Sequence, residues 1–369
     1  MKVLLVHKDN LIKCPPVISS LLILSDLGHE VSLVTEGIND YWKNVLEQKN
    51  INVHVIPNQF KGKFGALGKF LSYYNFRKSF FKIANSVVKN FNQDIVWVEG
   101  AQTIVSLGKR LKKYRYILQI QELHENVPHQ LRAISKVIHD ACAVFMPEYN
   151  RCVLYQCWFN LKKRPIVLPN KPYFIPPYEE LDLISDKYKQ YLDVFKNKKV
   201  ILYQGHIGEG RDLSKFISAV KQLPQYQLVL MGKNHGILEK YKQINPNIVH
   251  IDFIPAPDYL LFTSYCHIGL VSYDTNILNN AYCAPNKIYE YTAYGKPIIG
   301  NNIPGLKVLE NYKAGILVDE NDENSILSAL SRLEESYMTY SNGALKLFVD
   351  TDNKKTIKST IGDLQYLDS

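Results

Sequence analysis

Short apolar runs alternate along the first 170 residues with longer stretches whose apolar side chains recur every three or four positions. The runs predict strands at 2–7, 30–35, 53–57, 95–98, 116–121 and 143–147. The amphipathic stretches predict helices at 16–27, 41–49, 64–91, 103–112 and 127–139, the first closed by Gly28. Alternation of this kind predicts a parallel sheet covered by helices on both faces. Residues 165–172 read as a last strand and a turn, and Pro169, Pro172, Pro176 and Pro177 form the densest cluster of chain breakers.

The same alternation restarts after a charged helix predicted over 178–198. Strands are predicted at 199–203, 227–231, 249–253, 268–272, 297–300 and 315–318, with helices at 213–222, 238–243, 259–265, 287–293 and 323–336. The expected organisation is an N-terminal domain over 1–171 and a C-terminal domain over 172–345. A tail over 346–369 is expected to be helical and to pack back near the N-terminal domain. The fold class is α/β, two doubly wound Rossmann-like domains facing across a cleft, with ligands expected at the C-terminal ends of the strands.

Composition narrows the partners. At 46% hydrophobic and 21% charged residues, the chain is neither disordered nor fibrous. No apolar run approaches the roughly 18 residues of a membrane span, and the apolar start is too short for a secretory signal. The six cysteines form no Cys-x-x-Cys pair and read as buried thiols of a cytoplasmic protein, with no metal site among them. Net charge is uneven: residues 1–170 hold 23 Lys and Arg against 12 Asp and Glu, whereas residues 171–369 hold 21 against 23. All of the +9 excess therefore lies in the first half, which suggests an anionic partner for that half.

Three segments carry chemistry. A strand runs into a turn containing Gly205, Gly208 and Gly210, and Arg211 stands where the next helix opens. Glycines let backbone N–H groups approach a phosphate, and a guanidinium can fork onto its oxygens. Pro285 and Asn286 start a short helix whose first N–H groups, near Lys287 and Ile288, suit a diphosphate. Glu290 lies one turn in, where a carboxylate can accept from both hydroxyls of a ribose. In the first half a strand emerges into Glu122, His124 and Glu125. His124 can hydrogen-bond a sugar hydroxyl or stabilise charge at a reacting carbon, with the two carboxylates on the sugar side. Each segment also fits an ordinary reading: a plain glycine-rich turn, a capped helix with an exposed Glu, and a structural histidine.

Taken together these segments resemble the retaining glycosyltransferases of the GT-B fold, of the family 4 type found in bacterial surface-polysaccharide synthesis. The stretches that carry the resemblance are Tyr203-Gln-Gly with Arg211-Asp-Leu, Leu228-Val-Leu-Met-Gly-Lys and Pro285-Asn-Lys-Ile-Tyr-Glu-Tyr with Gly295-Lys-Pro-Ile-Ile. Glu122-Leu-His-Glu and the hinge-like Val167-Leu-Pro-Asn-Lys-Pro add to it. The resemblance implies a nucleoside-diphosphate sugar, a UDP-sugar first, as donor, with no cofactor and no metal. It implies Arg211 with Lys233 or Lys287 at the diphosphate, Asn286 and the Ile288 backbone beside it, Glu290 on the ribose and Ile254 at the base. Two departures stand out. Tyr282 occupies the position of the family's first carboxylate, and residues 7–16 lack the usual glycine-rich turn after the first strand.

The expected reaction is transfer of a sugar, with retention, to a hydroxyl of a lipid-linked glycan in capsule-type synthesis. His124, Arg211 and Lys287 are the expected catalytic residues. A basic aromatic segment supplies Lys61, Lys63, Lys69, Arg77, Lys78, Lys82 and Lys89 without an intervening acid. Interleaved with Phe64, Leu67, Phe70, Tyr74, Phe80 and Phe81, these cations read as an interfacial helix. The protein is thus expected at the cytoplasmic face of an anionic membrane, bound peripherally, and not on nucleic acid. Two rival readings are a non-catalytic GT-B partner subunit, argued against by Arg211 and Glu290, and a GT-B nucleotide-sugar epimerase, which needs no basic aromatic surface.

Overall fold

The computed structural model describes residues 1–60, 62–88, 94–178 and 185–366. Its strands form two sheets. The first contains β1 (Lys2–Asn10), β2 (Glu30–Gly37), β3 (Asn52–Val55), β4 (Ile95–Glu99), β5 (Tyr116–Gln119), β6 (Ala143–Met146) and β7 (Ile166–Val167), in the order β3-β2-β1-β4-β5-β6-β7. The second contains β8 (Lys199–Gln204), β9 (Tyr226–Met231), β10 (Val249–Ile251), β11 (Ile268–Val271), β12 (Ile298–Asn301) and β13 (Gly315–Val318), in the order β10-β9-β8-β11-β12-β13. All pairs are parallel. Parallel strands are covered on both faces, which is why Val3 to Val6, Ile95 to Val98 and Val200 to Tyr203 are apolar and buried without alternation.

Packing divides the chain into a first unit, 1–173 with 352–369, and a second, 174–351. The sequence expectation put these breaks at 171/172 and 345/346. The first unit's core joins β1, β2 and β4 to the helix Pro15–Asp26 and the helix Asn353–Tyr366. Residues Val17 to Leu24 are buried on every side because the sheet covers one face of their helix and Ile357, Ile361 and Leu364 join the same core. Inside that core Trp97 stacks on Phe145 at 5.1 Å and its indole N–H donates to Gln119 at 2.8 Å. The second unit has two cores, one on each face of its sheet.

Most predicted elements appear with ends moved by one or two residues. The helix Tyr149–Trp158, which the sequence reading leaves unassigned, is the main addition. Over 178–198 only a 3-10 turn, Ser185–Tyr188, and the helix Lys189–Asn197 are described. β1 runs past the predicted end to Asn10, since Thr35 donates to the Asp9 carbonyl at 2.7 Å and Asn10 pairs with Gly37. Cys142 and Cys157 are exposed, against the expectation of buried thiols; all six cysteines are free.

The long basic helix is Gly65–Val87 and shows two faces. Gly68, Ser72, Phe76, Phe80 and Ala84, spaced four apart, are buried. Phe64, Leu67, Phe70 and Tyr74 are 50–69% exposed. Phe80 therefore belongs to the core rather than to an outward aromatic stripe, and Phe81 is half-buried. Lys63, Lys69, Lys78 and Lys82 are exposed and Arg77 is half-buried over Tyr74 at 5.7 Å. Lys61 and Lys89 lie outside the described residues. No described helix is long and apolar enough to cross a membrane.

Candidate functional site

A cavity of about 470 Å³ opens in the second unit at the C-terminal ends of β8 and β9. It is lined by the turn after β8 (Gln204, Gly205, His206), the turn after β9 (Gly232, Lys233, His235), Phe253 and Ile254 after β10, and the start of the helix Asn286–Ala293. Parallel sheets with this strand order bind ligands at this end. Pro285 takes an extended conformation before the helix, so the first helical N–H groups are directed towards the cavity end of the element. Ile288 differs from the expectation: its side chain is core and its N–H donates to the Pro285 carbonyl at 3.3 Å.

Lys287 reaches across the cavity to the first turn. A Cβ on Gly205 would lie 2.5 Å from the Lys287 ammonium, and Gly205 sits at φ 138°, so only glycine allows this approach. Gly232 is equally constrained, because a Cβ there would lie 1.9 Å from the Gly205 carbonyl. The Lys287 ammonium is 4.7 Å from the Tyr203 ring centre and 5.9 Å from that of Tyr273. The Arg211 guanidinium stacks over the same Tyr273 ring at 3.8 Å and donates to the Gly210 carbonyl at 2.6 Å. Tyr273 is fixed from behind by the buried Asn301, which accepts from its N–H at 3.2 Å and donates to its carbonyl at 2.8 Å.

Neither Arg211 nor Lys287 forms an ion pair with any carboxylate among the described residues. Burial, and then the repulsion of Arg211, pull the Lys287 ammonium down to about 8, partly offset by Glu290. Two cations held on one aromatic ring without a counter-ion make a site in want of an anion.

Glu290 lines the same cavity, one turn beyond Lys287 on the same helix. Its carboxylate accepts from the Tyr259 hydroxyl at 2.5 Å and from the Gln204 amide at 2.5 Å. Gln204 is itself oriented by Thr263, whose hydroxyl donates to its carbonyl oxygen at 2.7 Å. Burial raises the Glu290 carboxyl, while Tyr259, Lys287 and Gln204 hold it down. Glu290 is the one carboxylate lining this cavity among the described residues, and Tyr282 does not reach it.

The structure thus gathers Gly205, Lys233, Ile254, Asn286, Lys287 and Glu290 around one cavity, with Arg211 behind Tyr273 at its edge. Gly208 is buried beneath the turn and does not line it. Tyr203, Tyr259, Tyr273, His206 and His235 complete the site without having been singled out in the sequence, since no linear spacing links them.

Glu122, His124 and Glu125 belong to the first unit, at the loop after β5. Glu122 pairs with the buried Arg151 at 3.3 Å. His124 takes φ 61°, a left-handed conformation that costs about 1 kcal/mol or more for a non-glycine residue. Its Nε2 is buried without a hydrogen-bond partner, and burial lowers its pKa against the opposing pull of Glu122 and Glu125. Among the described residues no three His, Cys, Asp or Glu side chains cluster to hold a metal ion.

Comparison with known proteins bears on the fold and on the second unit. Residues 198–336 match the family model described as "Glycosyl transferases group 1". No curated protein sequence matches the chain. Among solved structures, HepE of Anabaena in complex with UDP-glucose is similar with a TM-score of 0.71 at 13% identity, over 98% of this chain and 100% of that one. Sucrose-phosphate synthase from Thermosynechococcus elongatus aligns with a TM-score of 0.71 at 14% identity, over 100% and 98%. A glycosyltransferase from Rickettsia africae aligns with a TM-score of 0.68 at 14% identity, over 97% of both chains. The chain therefore has the GT-B fold and carries a glycosyl transferases group 1 domain across residues 198–336.

Proposed function

We propose that the protein is a retaining glycosyltransferase that moves a sugar from a UDP-sugar to a hydroxyl of a lipid-linked oligosaccharide in surface-polysaccharide synthesis. The observation that carries this reading is the pair Arg211 and Lys287, neither ion-paired to a carboxylate, on the Tyr273 ring, with Glu290 one turn further along the Lys287 helix. That spacing suits a nucleoside diphosphate: phosphates at the cations, ribose hydroxyls at Glu290, and the base against Phe253 and Ile254. HepE, which was solved with UDP-glucose, supports uridine as the base.

In the reaction the bond between the anomeric carbon and the diphosphate oxygen breaks, and the electron pair leaves with the diphosphate. Arg211, Lys287 and the N–H groups at Asn286 and Lys287 stabilise the charge that develops there, the kind of contribution that is usually the largest in such a step. The acceptor oxygen bonds to the same face of the sugar, and its proton passes to the departing phosphate oxygen. No separate base is required, and His124 positions the sugar.

The acceptor reading rests on the first unit. Phe64, Leu67, Phe70 and Tyr74 stand out from the helix Gly65–Val87 beside Lys63, Lys69, Arg77 and Lys78. Exposed aromatics flanked by cations suit the interface of an anionic leaflet, where a lipid-linked acceptor resides. Thermal shift with UDP, GDP, dTDP and CMP tests the donor: UDP should raise the melting midpoint most. No shift with any of the four overturns the proposal.

A further inference from the structure

The mouth of the cavity carries two histidines that the reaction above does not use. His206, on the turn after β8, and His235, on the turn after β9, have ring centres 4.3 Å apart with planes tilted by 34°. Both side chains are exposed, and both line the cavity that Lys287 enters.

The pair is held by backbone rather than by chance contact. The His235 N–H donates to the Ile207 carbonyl at 2.8 Å, the Ile207 N–H donates to the Lys233 carbonyl at 3.3 Å, and Ile207 and Asn234 form a parallel bridge. The Tyr203 hydroxyl anchors the His206 carbonyl at 2.7 Å. Beneath the rings lies Gly208, where a Cβ would stand 2.6 Å from His206 Nε2 and 3.0 Å from His235 Cβ. The glycine that the sequence suggested for phosphate contact instead makes room for the two imidazoles.

Their surroundings are one-sided. The charged groups acting on His206 are His235, Arg211 and Lys287, and all three oppose its protonation, after the burial that does so most. Lys233 lines the same cavity, Glu209 on the same turn is exposed, and Glu290 is engaged by Tyr259 and Gln204. An anion placed beside two imidazoles that touch one another among cations favours the charged form of the pair. A diphosphate seated at Arg211 and Lys287 is such an anion, and its two negative charges offset the two cations that oppose protonation at the pair.

We propose that His206 and His235 form a third cationic arm of the diphosphate site, one that takes up a proton as the nucleotide sugar binds. This rests on the donor reading of the cavity. The arm adds charge only while the diphosphate is present, so it strengthens binding without leaving a fixed cation to repel Arg211 and Lys287 in the empty site. By linkage, proton uptake on binding requires affinity to rise as pH falls through the range in which the free pair titrates. Glu290 works in the opposite sense, because its protonation at low pH removes a ribose acceptor. Lys287, which titrates near 8, is already charged below neutrality.

UDP-glucose is a suitable probe, since its diphosphate diester carries no group that titrates near neutrality. Titration calorimetry at about pH 7 and about pH 5.5, in two buffers of different ionisation heat, measures affinity and proton uptake together. The wild-type chain should bind about threefold or more tighter at the lower pH, with net uptake of protons. The double variant His206→Gln, His235→Gln should still bind at pH 7 but lose both the tightening and the uptake. Uridine, which lacks the phosphates, should show neither effect with either protein. Tightening that survives in the double variant, or wild-type binding that does not tighten, overturns the proposal and leaves the donor reading standing. Failure of the wild type to bind UDP-glucose at either pH overturns the uridine reading and this inference with it.

Discussion

The two units use one strand order and treat charge in opposite ways. In each, the first strand of the unit sits centrally, with the next two strands on one side and the fourth and later strands on the other. The first unit holds 27 Lys and Arg against 15 Asp and Glu, the second 17 against 20. Yet at the strand ends the first unit buries neutral groups. Glu99, 1% exposed, accepts from Gln121 at 3.1 Å, and burial pushes it up to about 8. His7, beside it in register, is pulled down to about 4 by burial. Lys8 is buried too, but its charge is matched by Glu36 at 2.6 Å and shared with Ser72 at 2.9 Å. The acidic second unit, by contrast, leaves Arg211 and Lys287 unmatched at its strand ends. On the donor reading proposed above, the anion is drawn by cations that lack a carboxylate partner, and net charge is a poor guide to where it binds.

The largest test of this contrast is Arg211→Ala. It should lower kcat/KM about 10²–10³-fold while the melting midpoint stays close to wild type. Turnover within a factor of two of wild type would show that the unmatched cation is not what the second unit is built around. Glu290→Gln should weaken UDP-sugar binding about ten- to hundredfold, as expected for loss of a charge-assisted ribose contact. Uridine, which keeps the ribose, should lose affinity alongside it.

A pH profile sharpens the comparison next. Lys287 in the free protein carries its proton below about 8. The diphosphate needs that charge, so kcat/KM should fall about tenfold per pH unit above that value. A flat profile to pH 9.5 or so would argue that Lys287 plays no part. For the first unit, replacing Phe70 by Ser and Lys69 by Gln together should reduce binding to anionic liposomes about tenfold or more, and less so at high salt. Unchanged co-sedimentation would make the exposed ridge a feature of some other surface.

The smallest effect concerns Glu99. Because its folded pKa is raised to about 8, its contribution to stability is fully present below its ordinary value of 4.5 and is lost as pH rises through about 8. Glu99→Gln should therefore melt a few degrees above wild type at about pH 8.5 and show no such gain near pH 4. Equal gains at both pH values would mean that the charge on Glu99 is not the cause.

Much of the fold was legible in the sequence because buried parallel strands and amphipathic helices leave different periods. The helix Tyr149–Trp158 escaped because it shows no charged face: its one cation, Arg151, is turned inward to the Gln121 carbonyl and Glu122. On the long basic helix the composition showed aromatics and lysines together, but only the four-residue spacing of Gly68, Ser72, Phe76, Phe80 and Ala84 separates core from surface. At the site, Lys287 and Glu290 were legible because they lie within the first turns of a helix, and Arg211 because it stands in the glycine-rich turn just before the helix Ser214–Lys221. Tyr273, Tyr259 and the histidine pair were not. They are joined by packing between turns that are tens of residues apart, and aromatic residues carry no spacing that announces a cation on their faces.

The helix Asn353–Tyr366 completes the first unit although the whole second unit precedes it in the chain. Ile357, Ile361 and Leu364 fill that unit's core, Asn353 donates to the Pro169 carbonyl at 2.8 Å, and Arg115 donates to the Leu364 carbonyl. During synthesis, then, the apolar helix Pro15–Asp26 waits with one face uncovered while the rest of the first 173 residues and the whole second unit, Phe174–Thr351, are translated. The continuous second unit can fold as it emerges, but the first closes only when the last helix arrives. The order of assembly therefore runs against the order of the genetic message, and the early half of the chain is the part most in need of protection from aggregation.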